Sequence, residues 1–153
     1  MEKSQAKGQS SVEYILIVAL TFALIIPATY LFYTYSKDSG QEVTDAQITQ
    51  IGKSIVDTAE TIYYSGIGSK TILEMNVPEA ITSAVIIEGR ELVFNVTSEI
   101  GISEIVFFSK INITTLPSYC NGNVCTIPGI SEGGLRKFKI DAVSRNSVRI
   151  DIT

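Results

Sequence analysis

One carboxylate, Glu13, stands between Gln9-Ser10-Ser11-Val12 and the apolar run Ile15 to Tyr35. From Tyr14 to Ser36 there are 23 residues without a charge, and at about 1.5 Å per helical residue that run outspans a hydrocarbon core of roughly 30 Å. A carboxylate in such a setting costs about 2.5 to 3.5 kcal/mol near a helix centre and less toward an interface. An ordinary anchor would gain by lacking it, so something should use it; the plain alternative is that Glu13 lies at lipid headgroups as a helix-start acid favoured by the macrodipole. Cys120 and Cys125 are the only cysteines and flank Asn121-Gly122-Asn123-Val124. A disulfide across that short loop is the expected state in an exported chain and free thiols are the alternative; without histidine, two cysteines make an incomplete metal site. Asn95-Val96-Thr97 and Asn112-Ile113-Thr114 both satisfy the Asn-x-Ser/Thr sequon. Asn95 and Asn112 are therefore candidate N-glycosylation acceptors, or else solvated strand or loop residues.

The composition excludes several classes of chemistry. The 153 residues hold no histidine and no tryptophan and carry a net charge of -4, so the commonest general base and metal ligand is missing and no basic stripe awaits phosphates. No nucleic-acid partner, metal or cofactor is expected. No nucleophile elbow, zinc-binding helix, phosphate-binding glycine loop or paired-carboxylate constellation occurs, so no catalytic residues are assigned and an enzyme is not expected. The length allows one membrane segment and one modest domain. Lys3 and Lys7 precede the span, whereas Asp38, Glu42 and Asp45 come after Lys37; the positive-inside rule leaves the N-terminus cytoplasmic and exports the residues beyond Tyr35.

Processing is expected before the span rather than after it. Phe32-Tyr33-Thr34-Tyr35 is bulky where a secretory cleavage site needs small residues, so the apolar run stays. The small residue is Gly8, behind Lys7. Lys7-Gly8 followed by Gln9-x-Ser11-x-Glu13-Tyr14 and a hydrophobic helix resembles the archaeal class III signal peptide of type IV pilin-like proteins. The resemblance covers roughly the first third of the chain. It implies that a prepilin peptidase cuts between Gly8 and Gln9, that residues 1–8 are a leader, and that Glu13 is the fifth mature residue. It further implies that Glu13 meets the new Gln9 amine of a neighbouring subunit. Burying an ion pair of this kind fixes register more than it adds stability. The implied partners are further copies of the chain in a helical filament, the peptidase and the pilus assembly machinery. The precursor would sit in the cytoplasmic membrane and the filament at the cell surface. The same sequence also suits a minor pilin or a membrane-tethered extracellular binding protein.

These sites need one long helix and a β-rich head, an α+β, pilin-like class. The helix is expected over 9–66, with an apolar part at 14–36 and an amphipathic part at 41–65. Pro27 should kink or loosen it, and Ser39-Gly40-Gln41-Glu42 has capping-box spacing that would restart it after a short irregularity. Ile48, Ile51, Ile55, Ala59 and Ile62 recur at helical intervals, with Val56 and Tyr63 widening the stripe, so this face should be buried. Gly66 and Gly68 should end it. Over 67–153 the period shortens to two and an antiparallel sheet is expected. Ala84–Glu88 and Glu91–Thr97 flank Gly89-Arg90, a two-residue link with glycine first, which suits a type II′ hairpin. Ile102–Ile113 forms one long strand or a bent pair, and Leu135–Val143 with Ser147–Ile152 forms a hairpin around Arg145-Asn146. Pro117 to Gly134 reads as a loop-like excursion that carries both cysteines.

Overall fold

The structure is a computed structural model that describes residues 5–98 and 101–153, with the backbone alone at 5–11 and 38–39. It has the α+β architecture that the pattern predicts. Among the described residues one N-terminal helix, α1 (Gln5–Ser65), precedes nine strands: β1 (Lys70–Val77), β2 (Ile81–Ile87), β3 (Glu91–Ser98), β4 (Gly101–Phe108), β5 (Asn112–Thr114), β6 (Cys120–Asn121), β7 (Val124–Thr126), β8 (Gly134–Ser144) and β9 (Ser147–Ile152). The chain divides into two compact units, Met1–Glu42 and Val43–Thr153.

In the first unit the helix is uninterrupted at Pro27. Proline removes one backbone donor and crowds the carbonyl four residues back, and polar side chains nearby are satisfied locally. The hydroxyls of Thr21, Thr29 and Thr34 donate to the carbonyls of Ile17, Ile25 and Tyr30 at 2.8, 2.8 and 3.1 Å. These three hydroxyls then need no water, which suits an apolar surround. The expected irregularity near Ser39-Gly40 does not occur, since the backbone of α1 runs through both residues. Gly40 costs only about 1 kcal/mol in a helix interior and blocks nothing sterically.

In the second unit the predicted stripe is buried. Ile48, Ile51, Ile55, Val56, Ala59 and Ile62 line the core and Tyr63 packs at its margin. Gly66 ends the helix as a left-handed residue, φ 97°, whose N–H donates to the Tyr63 carbonyl at 3.2 Å, the termination that glycine permits at least cost. Two sheets supply the rest of the core. One has the order β1-β8-β9-β5 and the other β4-β3-β2-β7-β6. Among the described residues all pairings are antiparallel except β5 with β9, which is parallel. Ile102–Ile113 is a bent pair rather than one strand. β4 and β5 lie in different sheets, so the bend carries the chain from one layer to the other. Phe94, Leu92, Ile86, Phe138, Ile140 and Ile150 are fully buried and interlock with the helix stripe.

The terminal hairpin pairs Ser144 with Ser147 across Arg145-Asn146, as the pattern indicates, and buries Phe138, Ile140, Ala142, Val148 and Ile150; Ile152 is only partly covered. The β2–β3 turn differs from expectation. Ile87 pairs with Glu91, leaving three residues between them, and the Arg90 N–H donates to the Ile87 carbonyl at 3.0 Å. Its central residues are Glu88 and Gly89, at φ 52° and 68°. Two successive positive φ values define a type I′ turn, whose twist matches that of the strands, in place of a type II′ turn at Gly89-Arg90.

Candidate functional site

The assembly and cleavage residues lie at the start of α1. Gly8 and Gln9 belong to the helical backbone, and their side chains fall outside the described residues, as do Met1–Ser4 entirely. Glu13 is exposed, and so are Val12, Tyr14, Ile15, Leu16 and Ile17 around it, all large side chains at least 62% accessible. The helix from Val12 onward is long and apolar enough to cross a membrane. In the described helix, which starts at Gln5, Glu13 lies more than two turns in, beyond the first turn where an acid complements the dipole.

The cysteines form the expected disulfide. Cys120 and Cys125 are opposite one another in the β6–β7 hairpin, their Cα atoms 3.9 Å apart and their sulfurs bonded at 2.07 Å. Part of the expected loop is therefore a small hairpin, and β7 in turn pairs with β2. The disulfide closes the hairpin, and its tip is held to the β2–β3 turn by the Glu88 N–H, which donates to the Asn123 carbonyl at 2.8 Å.

The two sequons occupy different settings. Asn95 lies on β3 between β2 and β4, and its side-chain nitrogen donates to the Ser83 hydroxyl at 2.7 Å. Asn112 is exposed at the start of β5, an edge strand. The nitrogen that would carry a glycan is engaged at Asn95, while the Asn112 side chain borders open grooves on two sides.

One of these grooves has a volume of about 560 Å³ and is lined by Tyr63, Tyr64, Arg90, Lys110, Asn112 and Asn146. The fold gathers it from five places: the last turn of α1, the β2–β3 turn, the β4–β5 bend, the start of β5 and the β8–β9 turn. The rings of Tyr63 and Tyr64 meet edge to face at 5.4 Å and 86°. The Lys110 backbone N–H donates to Glu60 Oε1 at 3.2 Å, and its ammonium lies 3.8 Å from Glu60 Oε2. In the sequence Tyr63 reads as a stripe residue and Arg90 and Asn146 as turn residues, and nothing local signals that they converge with Tyr64, Lys110 and Asn112. Among the described residues no group of three or more histidine, cysteine or acidic side chains is placed to hold a metal. No protein-family model matches the chain, and no curated protein or solved structure matches it.

Proposed function

We propose that this chain is a structural subunit, a pilin, that polymerises through its N-terminal helix into an archaeal type IV pilus-like extracellular filament for surface attachment. The observation that carries the proposal is Glu13, an acid in a helix whose neighbouring side chains are apolar and exposed, four residues after Gln9 of Lys7-Gly8-Gln9. In this scheme the helix first enters the membrane, prepilin peptidase removes residues 1–8, and the helix then passes from lipid into a bundle. There Glu13 meets the Gln9 amine of an adjoining subunit. The pairing offsets the desolvation of both ions and sets axial register. A continuous apolar helix supports this use, as do the self-satisfied threonine hydroxyls along it.

The experiment is N-terminal sequencing and intact-mass measurement of the surface form, then imaging of sheared filaments from the wild type and Glu13→Gln. A start at Gln9 and loss of filaments in the variant, with export and cleavage retained, are expected. A start beyond Ser36, or normal filaments from Glu13→Gln, overturns the proposal. A second reading, a minor pilin or membrane-tethered extracellular binding protein, is favoured by the groove at Tyr63 and Arg90. It predicts a membrane monomer in place of abundant filaments.

A further inference from the structure

We infer that the groove lined by Tyr63, Tyr64, Arg90, Lys110, Asn112 and Asn146 binds a carboxylated saccharide, with Arg90 holding the carboxylate and Tyr64 supporting the sugar ring. Its volume of about 560 Å³ falls in the range of small-ligand sites, roughly 300 to 1,000 Å³. Tyr64 is 74% exposed although it is a large aromatic, and its ring is braced edge-on by Tyr63. A rigid aromatic face open to solvent suits the C–H face of a sugar, and bracing it beforehand lowers the entropy cost of binding. Asn112 and Asn146 are both exposed, and their amides offer donors and acceptors together, as sugar hydroxyls require.

The charges select the class of acid. Arg90 is exposed, and its guanidinium takes no ion-pair partner among the described residues; its planar fork matches a carboxylate in a bidentate manner. Lys110 already faces Glu60, whose carboxylate also accepts the Lys110 backbone N–H. The groove is left with one cation in excess, and the carbonyl end of α1 adjoins it through Tyr63 and Tyr64. That negative dipole end disfavours charge concentrated on one group, as on phosphate, while the charges of a uronic-acid chain are spread one to a ring, so that Arg90 meets a single carboxylate. A uronic-acid oligomer has this chemistry.

A role in surface attachment rests on the filament proposal, but the binding itself does not. The test uses the full chain, produced in a host without N-glycosylation and held as a monomer in lipid nanodiscs. Trigalacturonate, its uncharged galactotriose counterpart and inorganic phosphate are titrated by calorimetry. Saturable binding of trigalacturonate is expected, with galactotriose weaker by about tenfold or more and no saturable heat from phosphate. Arg90→Gln and Tyr64→Ala should each lose about tenfold or more in affinity, whereas Lys110→Gln should change it by less than about threefold. Unfolding midpoints measured in parallel identify any variant that has lost its fold, and Arg90→Lys then replaces Arg90→Gln, with a loss still expected. Absence of saturable binding by the folded wild type, equal affinity for galactotriose, or undiminished binding by folded Arg90 variants overturns the inference. Phosphate binding as tight as trigalacturonate overturns it in favour of a general anion site. Because the protein is monomeric in this assay, failure here leaves the filament proposal standing, and failed polymerisation leaves this inference standing.

Discussion

Glu88 holds a left-handed backbone, φ 52°, and is the only non-glycine residue to do so among the described residues. For an L-residue with a Cβ this conformation costs roughly 1–2 kcal/mol, so Glu88→Gly is expected to stabilise the fold by up to about 1 kcal/mol in chemical denaturation. The neighbouring Gly89 cannot be exchanged so freely. Its φ is 68°, and a Cβ there would strike the Asn112 side chain. Gly52 has a different constraint, since a Cβ on it would run into the ring of Phe107. That ring is buried and packed edge-on against Phe94 at 5.6 Å. Gly52→Ala should therefore lower unfolding stability by about 1–3 kcal/mol through overpacking. At Lys137, the Glu74 carboxylate accepts a hydrogen bond from the ammonium and attracts its charge, raising the amine above its ordinary 10.5. The contribution of this exposed pair is complete below 10.5 and fades as pH rises through the raised value. Glu74→Gln should return the Lys137 titration, monitored by NMR, to its ordinary position.

At the scale of elements, the β6–β7 hairpin is short and bonded on one side only, to β2. Its disulfide closes a loop of a few residues, for which chain entropy gives about 2 kcal/mol. Replacing both cysteines by serine should lower stability by up to that amount and raise amide exchange at Glu88, whose N–H donates to the Asn123 carbonyl of this hairpin. β4 is an edge strand whose outward face shows Ile102 and Phe108 at 76% and 73% exposure. An open apolar edge promotes strand pairing between molecules, and a charge on it opposes that pairing. Ile102→Lys should extend the concentration range over which the β-rich unit remains monomeric, measured by light scattering. On the outward side of the other sheet, Arg149 bridges Asp141 at 2.7 Å and Asp151 at 3.1 Å, and Asp151 also accepts the buried Thr115 hydroxyl at 3.2 Å. That half-buried network pairs its charges with one another and ties β8, β9 and the segment after β5 together.

At the scale of the whole molecule, every buried apolar side chain described lies at or beyond Ile48. The unit Val43–Thr153 thus holds its own core, built without side chains from the apolar part of α1. A fragment spanning 43–153 is expected to fold cooperatively with native circular dichroism, whereas Phe138→Ala within it should lose about 3–5 kcal/mol. Failure of that fragment to fold would mean that the apolar helix supplies stability which the buried side chains do not record.

The helix was legible because its signals are local. A charge-free run, a three-and-four stripe from Ile48 to Ile62 and a glycine stop at Gly66 each depend on neighbours within a few residues, and the alternation from Thr71 onward declares a strand period for the same reason. The disulfide was legible because four residues between two cysteines leave few alternatives. The type I′ turn was missed because Glu88 violates the residue preference of the conformation it adopts, held there by Asn123 from another hairpin. The continuity of α1 past Gly40 was missed because capping-box spacing is also compatible with a helix interior. The transfer of β4 and β5 to different sheets, the parallel β5–β9 pair and the meeting of Tyr64 with Arg90, Lys110 and Asn146 depend on contacts between distant segments. By itself the sequence determined the apolar helix, the acid at its start and the β-rich remainder, since those rest on local periodicity and charge. Only the tertiary structure decided which strands share a sheet and which side chains share a groove, since burying a common core is what brings residues far apart in the chain to one surface.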